Sequence, residues 1–331
     1  MNVLKVGVIG VGHLGTNHAR VYHELPGVRL VGVMDVDEQR AAAVAQRYGV
    51  SAWADLSACL SMVDAVSVAV PTTVHYPVVR ECLMAGVHVL VEKPIASTVE
   101  EAQAMVDLAR RRNRVLQVGH IERFNPVLDE IRPFIHHPAF IECHRLSPFQ
   151  PRGTDVDVVL DLMIHDLDIV RSFDLGAVKH VQASGITVLS STIDFANARL
   201  EFESGCVANM TASRISTGRL RKLRLFQPEL YLSIDYHARS GRMSRRVVSS
   251  EGALSSVETI PIQADTEEPL KRELRAFVRS VEDGAPVVVP GEEGVAALQL
   301  AQDILALIRT SKVFSKRQAA PHSIPSAHMR I

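Results

Sequence analysis

The chain has 331 residues, 47% hydrophobic and 22% charged, the composition of a globular protein with length enough for two domains. A formal charge of -1, with Lys and Arg spread along the chain, leaves no basic excess to neutralise a phosphate backbone and excludes nucleic acid as a partner. Apolar stretches such as 65–70 fall far short of the roughly 20 residues that span a bilayer, and the N-terminus enters a strand pattern without signal-peptide features, so a cytoplasmic protein with no membrane partner is expected.

Residues 1–123 alternate short apolar runs with longer amphipathic segments, the pattern of parallel strands covered by helices. Strands are predicted over 4–9, 29–34, 65–70, 88–91 and 115–119, and helices over 13–24, 37–48, 77–85 and 99–112. Asp37 can cap the second helix and Gly86 follows the third. Ser97 or Thr98 precedes the acidic turn Glu100-Glu101 of the fourth. The fold class of this half is an α/β Rossmann domain with a doubly wound parallel sheet.

From Phe124 the texture changes to β-branched, alternating runs. Strands are predicted over 139–146, 179–189, 194–203, 207–214, 222–226 and 231–236, with Gly205 in a hairpin turn. Helices are predicted over 158–173, 269–283 and 293–310. Residues 124–314 therefore read as an α+β domain with a mostly antiparallel open sheet, and 315–331, with Pro321 and Pro325, as a mobile tail. The four cysteines, Cys59, Cys82, Cys143 and Cys206, lie far apart without zinc-site spacing, so they are expected to be reduced and structural, with no metal.

Gly10-Val11-Gly12-His13-Leu14-Gly15 closes the first strand and opens the first helix. In that context Gly10 permits the turn, Gly12 lets the backbone approach a pyrophosphate, and Gly15 lets helix and sheet close together. The helix N-terminus then offers N–H groups to the anion. Asp35 stands twenty residues beyond Gly15, at the end of the second strand, where a carboxylate accepts hydrogen bonds from ribose hydroxyls and repels a 2'-phosphate, which favours NAD. Arg40 is read as a solvated helix residue.

Glu92-Lys93-Pro94 follows a strand at the edge of the sheet where α/β proteins bind ligands, and a lysine there can polarise a hydroxyl and stabilise a developing alkoxide. A plain surface lysine before a proline fits the same residues. Asp161 and His165 stand at i and i+4 of a predicted helix, on one face, His165 as a base and Asp161 as its orienter. Asp168 falls on the same face and Asp166 elsewhere; an ordinary exposed polar stripe is the alternative.

Taken together, GVGHLG at 10–15, Asp35, Pro71-Thr72-Thr73 with His75, Glu92-Lys93-Pro94 and Asp161 with His165 resemble the glucose-fructose oxidoreductase, inositol dehydrogenase and rhizopine catabolism (Gfo/Idh/MocA) family. The resemblance implies an NAD(P)-dependent sugar or cyclitol oxidoreductase with Lys93, Asp161 and His165 catalytic. It also implies that Gly10, Gly12, His13, Leu14, Gly15, Asp35, Pro71, Thr72, His75, Glu92, Lys93 and Pro94 border the cofactor. A homodimer or homotetramer through the C-terminal sheet is implied as well.

A narrower likeness lies in Gly119-His120-Ile121-Glu122-Arg123-Phe124-Asn125-Pro126, which is similar to the subgroup that oxidises the C3 hydroxyl of UDP-N-acetylglucosamine for later transamination. It implies a nucleotide-sugar substrate, a downstream aminotransferase partner, and substrate contacts from Lys93, His120, Arg123, Asn125, Asp161 and His165. Arg123 can pair with a diphosphate. As a domain hinge it would instead bridge carboxylates. Where many family members carry Gly-Gly before the Asp161 helix, this chain has Asp157-Val158-Val159-Leu160, a bulkier loop expected to narrow the substrate mouth. A free-sugar or inositol dehydrogenase and a non-catalytic dinucleotide-binding regulator remain the other readings.

Overall fold

The computed structural model describes residues 3–150, 156–248 and 254–311, so the expected tail at 315–331 lies outside the described residues. The first half runs β1 (Leu4–Ile9), α1 (His13–Glu24), β2 (Val28–Met34), α2 (Glu38–Tyr48), β3 (Ser51–Trp53), α3 (Leu56–Leu60), β4 (Ala65–Val68), α4 (His75–Met84), β5 (His88–Glu92), α5 (Val99–Arg112) and β6 (Leu116–Gly119). All six strands are parallel, in the order β3-β2-β1-β4-β5-β6. The order reverses between β1 and β4, which opens a crevice at their C-terminal ends. Caps fix the helix boundaries: the Asp37 carboxylate accepts from Arg40 N at 3.0 Å, and Thr98 Oγ1 accepts from Glu101 N at 3.2 Å.

Parity along the central strands sorts side chains between the two covered faces. Ala65 and Leu90 face the cluster built by α1 and α2, whereas Val66, Val68, Val89 and Val91 face the cluster built by α4 and α5. By the same alternation Ser67 and Glu92 point to the α1 face.

The second half runs α6 (Pro126–Ile131), β7 (Phe140–Leu146), α7 (Ile164–Arg171), β8 (Val178–Ile186), β9 (Phe195–Phe202), β10 (Val207–Ser213), β11 (Leu220–Gln227), β12 (Leu230–Asp235), β13 (Ser240–Val248), β14 (Leu254–Gln263), α8 (Pro269–Glu282) and α9 (Gly291–Thr310). The eight strands order as β14-β13-β12-β11-β7-β10-β9-β8, antiparallel except for the parallel pair β7/β10. Gly205 makes the expected turn between β9 and β10 at φ +84°. Alternating burial along β9 and β10 turns one face of the sheet onto α7 and α9.

Several expectations need correction. Strands β3, β13 and β14 and helices α3 and α6 were not anticipated. The strand expected over 179–189 stops at Ile186, because the Asp194 carboxylate gathers the N–H groups of Val188, Leu189 and Ser190 into a loop. Helix α8, expected in the second domain, packs Leu270, Leu274, Phe277 and Val278 against β1 and α1 of the first. The helix expected over 158–173 is divided: a π-helical turn spans Val159–Met163 before α7 begins.

Candidate active site

At the end of β1 the three glycines meet three different demands. Gly10 sits at φ +85°, and a Cβ there would lie 2.7 Å from the carbonyl oxygen of Ala69. A Cβ on Gly15 would overlap the carbonyl oxygen of Gly10. Gly12, by contrast, has open space where a Cβ would stand, and as the N-cap of α1 it leaves that helix end without a side-chain cap. This is a cradle for an anionic group at a helix N-terminus, and it fits the pyrophosphate of a dinucleotide. His13 and Leu14 are exposed beside it.

Asp35 is only 5% exposed at its side chain. Its oxygens accept from Val11 N at 2.8 Å and Asp37 N at 2.9 Å, which ties the glycine turn to the end of β2. Arg40 is not a purely solvated residue: its guanidinium lies 3.3 Å from Asp35 and 3.0 Å from Asp37. On the other side of the crevice, Pro71 and Thr72 reach the surface, but His75 does not. The His75 ring is buried between the carbonyl oxygens of Val70 and Pro94, each at 2.9 Å, and so staples the loop after β4 to the loop after β5. Burial lowers its pKa, and the neutral ring donates to one of these oxygens at a time. Pro94 is buried in the same staple, and Glu92 turns inward, 7% exposed, to hydrogen-bond His18 at 2.9 Å.

Lys93 brings the two halves together. Its Nζ donates to the main-chain oxygen of Asp161 at 2.7 Å and to Oδ1 at 3.3 Å. The π-helical turn is the local cause: it breaks the i, i+4 stacking of Asp161 over His165 and presents the Asp161 carboxylate to Lys93. Among the described residues no carboxylate hydrogen-bonds His165, so the expected orienting role of Asp161 on that ring is not what the geometry provides. His165 Nδ1 is buried without a partner. Burial, aided by the positive charges of Lys93 and Arg145, holds its pKa well below the ordinary imidazole value. The ring is therefore neutral at neutral pH.

His120 meets His165 edge-on, with ring centroids 6.4 Å apart, and both of its nitrogens are buried without partners. Burial lowers its pKa too. Unpartnered buried donors and acceptors at the end of β6 are the mark of a place that a polar ligand fills.

Arg123 and Asn125, expected at the substrate, are committed elsewhere. Arg123 is 8% exposed, with Nε 2.9 Å from Asp168 and its other arm against Glu293. That is the hinge arrangement, and it commits Asp168 to Arg123. Asn125 caps α6 and donates to Glu122 and to the Tyr236 carbonyl. Val158 and Val159 are fully buried in the core and Asp157 binds Ile193 N and Arg309, so these three side chains are held against the protein, while Leu160 is half-buried.

Arg145 was missed. It is 3% exposed, forks onto Asp166 at 2.8 and 3.0 Å, and reaches Glu122 at 2.8 Å. It thereby ties the segment carrying His120 to the helix carrying His165. The signal lay in β7, where Arg145 falls on the buried parity of Ile141 and Cys143. All four cysteines are buried and free. No helix among the described residues is long and apolar enough to cross a membrane.

Residues 4–120 match the Gfo/Idh/MocA model described as an oxidoreductase family with an NAD-binding Rossmann fold, and residues 141–229 match a Gfo/Idh/MocA C-terminal domain. The UDP-N-acetylglucosamine 3-dehydrogenase of Acidithiobacillus ferrooxidans is 34% identical over 92% of this chain and 99% of that protein. A solved structure of that dehydrogenase matches with a TM-score of 0.89, covering 95% of this chain and 99% of the other. An inositol 2-dehydrogenase of Rubrobacter xylanophilus is 34% identical over 55% of this chain and 56% of its own.

Proposed function

This chain belongs to the Gfo/Idh/MocA oxidoreductase family, and we propose that it oxidises the C3 hydroxyl of UDP-N-acetylglucosamine to the 3-keto sugar. The observation that carries the reading is Lys93 held against Asp161 beside a neutral His165, in a chain similar to such a dehydrogenase over nearly its whole length. NAD+, when bound by the glycine turn and Asp35, is the hydride acceptor. Lys93 donates a hydrogen bond to the sugar oxygen and stabilises the negative charge that builds there. Asp161 fixes Lys93. His165 takes the hydroxyl proton, so the C3–H and O–H bonds break together to give the ketone. His120, with its free nitrogens, holds the sugar.

The 3-keto product suits an aminotransferase that installs a 3-amino group, and a cytoplasmic homo-oligomer joined through the eight-stranded sheet accompanies this reading. Incubation with UDP-N-acetylglucosamine, NAD+ and a partner aminotransferase is expected to yield the 3-amino sugar nucleotide. Absence of product across nucleotide sugars overturns the substrate. Oxidation of myo-inositol without any uridine requirement would favour the inositol dehydrogenases that this chain also resembles. A purely regulatory role is disfavoured by the retention of Lys93, Asp161 and His165 in one place.

A further inference from the structure

One buried group of polar side chains has no part in the reaction above. His18 and Tyr22 on α1, Ser67 on β4, Glu92 at the end of β5 and Glu273 on α8 meet on the α1 face of the parallel sheet, all but Glu92 fully buried. A chain of hydrogen bonds links four of them: Tyr22 Oη to Ser67 Oγ at 2.9 Å, Ser67 Oγ to His18 Nδ1 at 3.0 Å, and His18 Nε2 to Glu92 Oε1 at 2.9 Å. It ends at Lys93, whose backbone N–H donates to Glu92 Oε2 at 3.3 Å. The space for this carboxylate is reserved, since a Cβ on Gly119 would lie 3.0 Å from Glu92 Cδ.

We propose that His18 is a positioning residue for the reaction: it fixes the Glu92 carboxylate, and that carboxylate fixes Lys93. The inference rests on the reading of Lys93 given above. A buried carboxylate costs several kcal/mol of desolvation, so a position needed only for packing would carry an apolar side chain. Here burial pushes Glu92 up, but the His18 hydrogen bond, the His18 charge and the neighbouring Lys93 outweigh it and keep the group ionised. Glu273, whose two oxygens lack partners, is held well above the carboxylate range by burial and by the Glu92 charge, and so stays neutral. One negative charge rather than two then sits behind Lys93. The other groups facing Glu92 are His75 from α4 and His120 after β6.

The test uses His18→Leu, which removes the donor, and His18→Gln, whose amide keeps one where imidazole Nε2 stands. With UDP-N-acetylglucosamine and NAD+, His18→Leu is expected to lower kcat at least ~10-fold, the size of one lost charge-assisted hydrogen bond, with KM for NAD+ little changed. The acid limb of its kcat/KM profile should move to higher pH, because Glu92 then protonates more readily. His18→Gln should recover most of kcat and the limb. A His18→Leu variant with unchanged kcat and pH profile overturns the proposal. So does a His18→Gln variant as impaired as His18→Leu, with the same fall in Tm. The ligand atoms of His18, Glu92 and Glu273 lie within 4.8 Å of one another, so stoichiometric divalent metal in the purified protein would also overturn it. Lys93→Ala with full turnover overturns the reading of the site instead. A crystal structure of His18→Leu gives an outcome independent of substrate: Lys93 should lose its contact with Asp161, and retention of that contact overturns the inference.

Discussion

Lys93 Nζ lies 2.7 Å from the main-chain oxygen of Asp161 and 3.3 Å from its carboxylate, so the loop after β5 and the π-helical turn before α7 meet through one ammonium group. The shorter of the two contacts goes to the backbone and survives substitution of the Asp161 side chain. Asp161→Asn is therefore expected to cost less than Lys93→Ala, which removes both contacts and the hydrogen bond to the reacting oxygen. We expect Lys93→Ala to lower kcat by about 10²–10⁴-fold while NAD+ still binds. Steady-state kinetics with NAD+ titration of both variants checks the order, and equal losses would contradict it.

His165 and Glu92, both with lowered pKa values, enter the acid limb together, His165 as the base. The folded pKa of His165 lies well below the ordinary value of 6.5, first because it is buried and then because Lys93 and Arg145 stand near. The base is therefore already deprotonated at neutral pH, and the acid limb of kcat/KM should fall below the ordinary imidazole range. The same shift has a consequence for stability. Between the folded and unfolded pKa values the unfolded chain binds more protons, so stability is full above the unfolded value and falls as pH drops through that window. His165→Gln should show a shallower loss on acidification than the wild type in denaturant titrations repeated across pH. His120 contributes in the same direction.

Arg145 separates buried from exposed charge pairing. Arg145→Met leaves Asp166 buried without its hydrogen-bonded cation and Glu122 with only Arg221 at 3.6 Å, and breaking such a buried pair costs about 3–5 kcal/mol. Arg224, on β11, is 2.8 Å from Glu142, but both side chains are substantially exposed. Arg224→Met should change stability by less than about 1 kcal/mol. Urea unfolding midpoints of the two variants distinguish them, and a neutral Arg145→Met would show that the tie between His120 and His165 is not structural.

The legible part of the fold was the part where one period dominates. Strands β1, β4, β5 and β6 carry apolar runs that only a doubly covered parallel sheet buries, and the glycine turn and Asp35 stand where such a sheet puts them. Strands β13 and β14 escaped because serine, arginine and threonine interrupt their apolar alternation. In the site, residue type and spacing singled out Lys93, Asp161 and His165 as candidates beside plain surface readings, the family resemblance suggested their roles, and the contact between Lys93 and Asp161 was not anticipated. A single π-helical turn changes which side chains face each other without altering the sequence period around it. His18 and Glu273 escaped for a related reason. A polar residue on the buried stripe of a helix reads as noise until the partners from β4 and β5 are brought to it.

The glycine turn gives the cleanest separation of folding from binding. Gly12 has negative φ, and open space stands where a Cβ would go, so Gly12→Ala should leave stability within about 0.5 kcal/mol of the wild type. The added methyl would occupy the space through which the backbone meets a pyrophosphate, and NAD+ affinity should fall at least ~10-fold. Gly15→Ala has the opposite profile. Its Cβ would overlap the Gly10 carbonyl, and the helix and strand must separate to admit it, which costs about 3 kcal/mol or more. Thermal unfolding with and without NAD+ reads both effects in one experiment. Gly12→Ala should keep its apo Tm and lose the upward shift on adding NAD+, whereas Gly15→Ala should lose apo Tm outright. A Gly12→Ala variant that keeps the full NAD+ shift would remove the pyrophosphate from this turn.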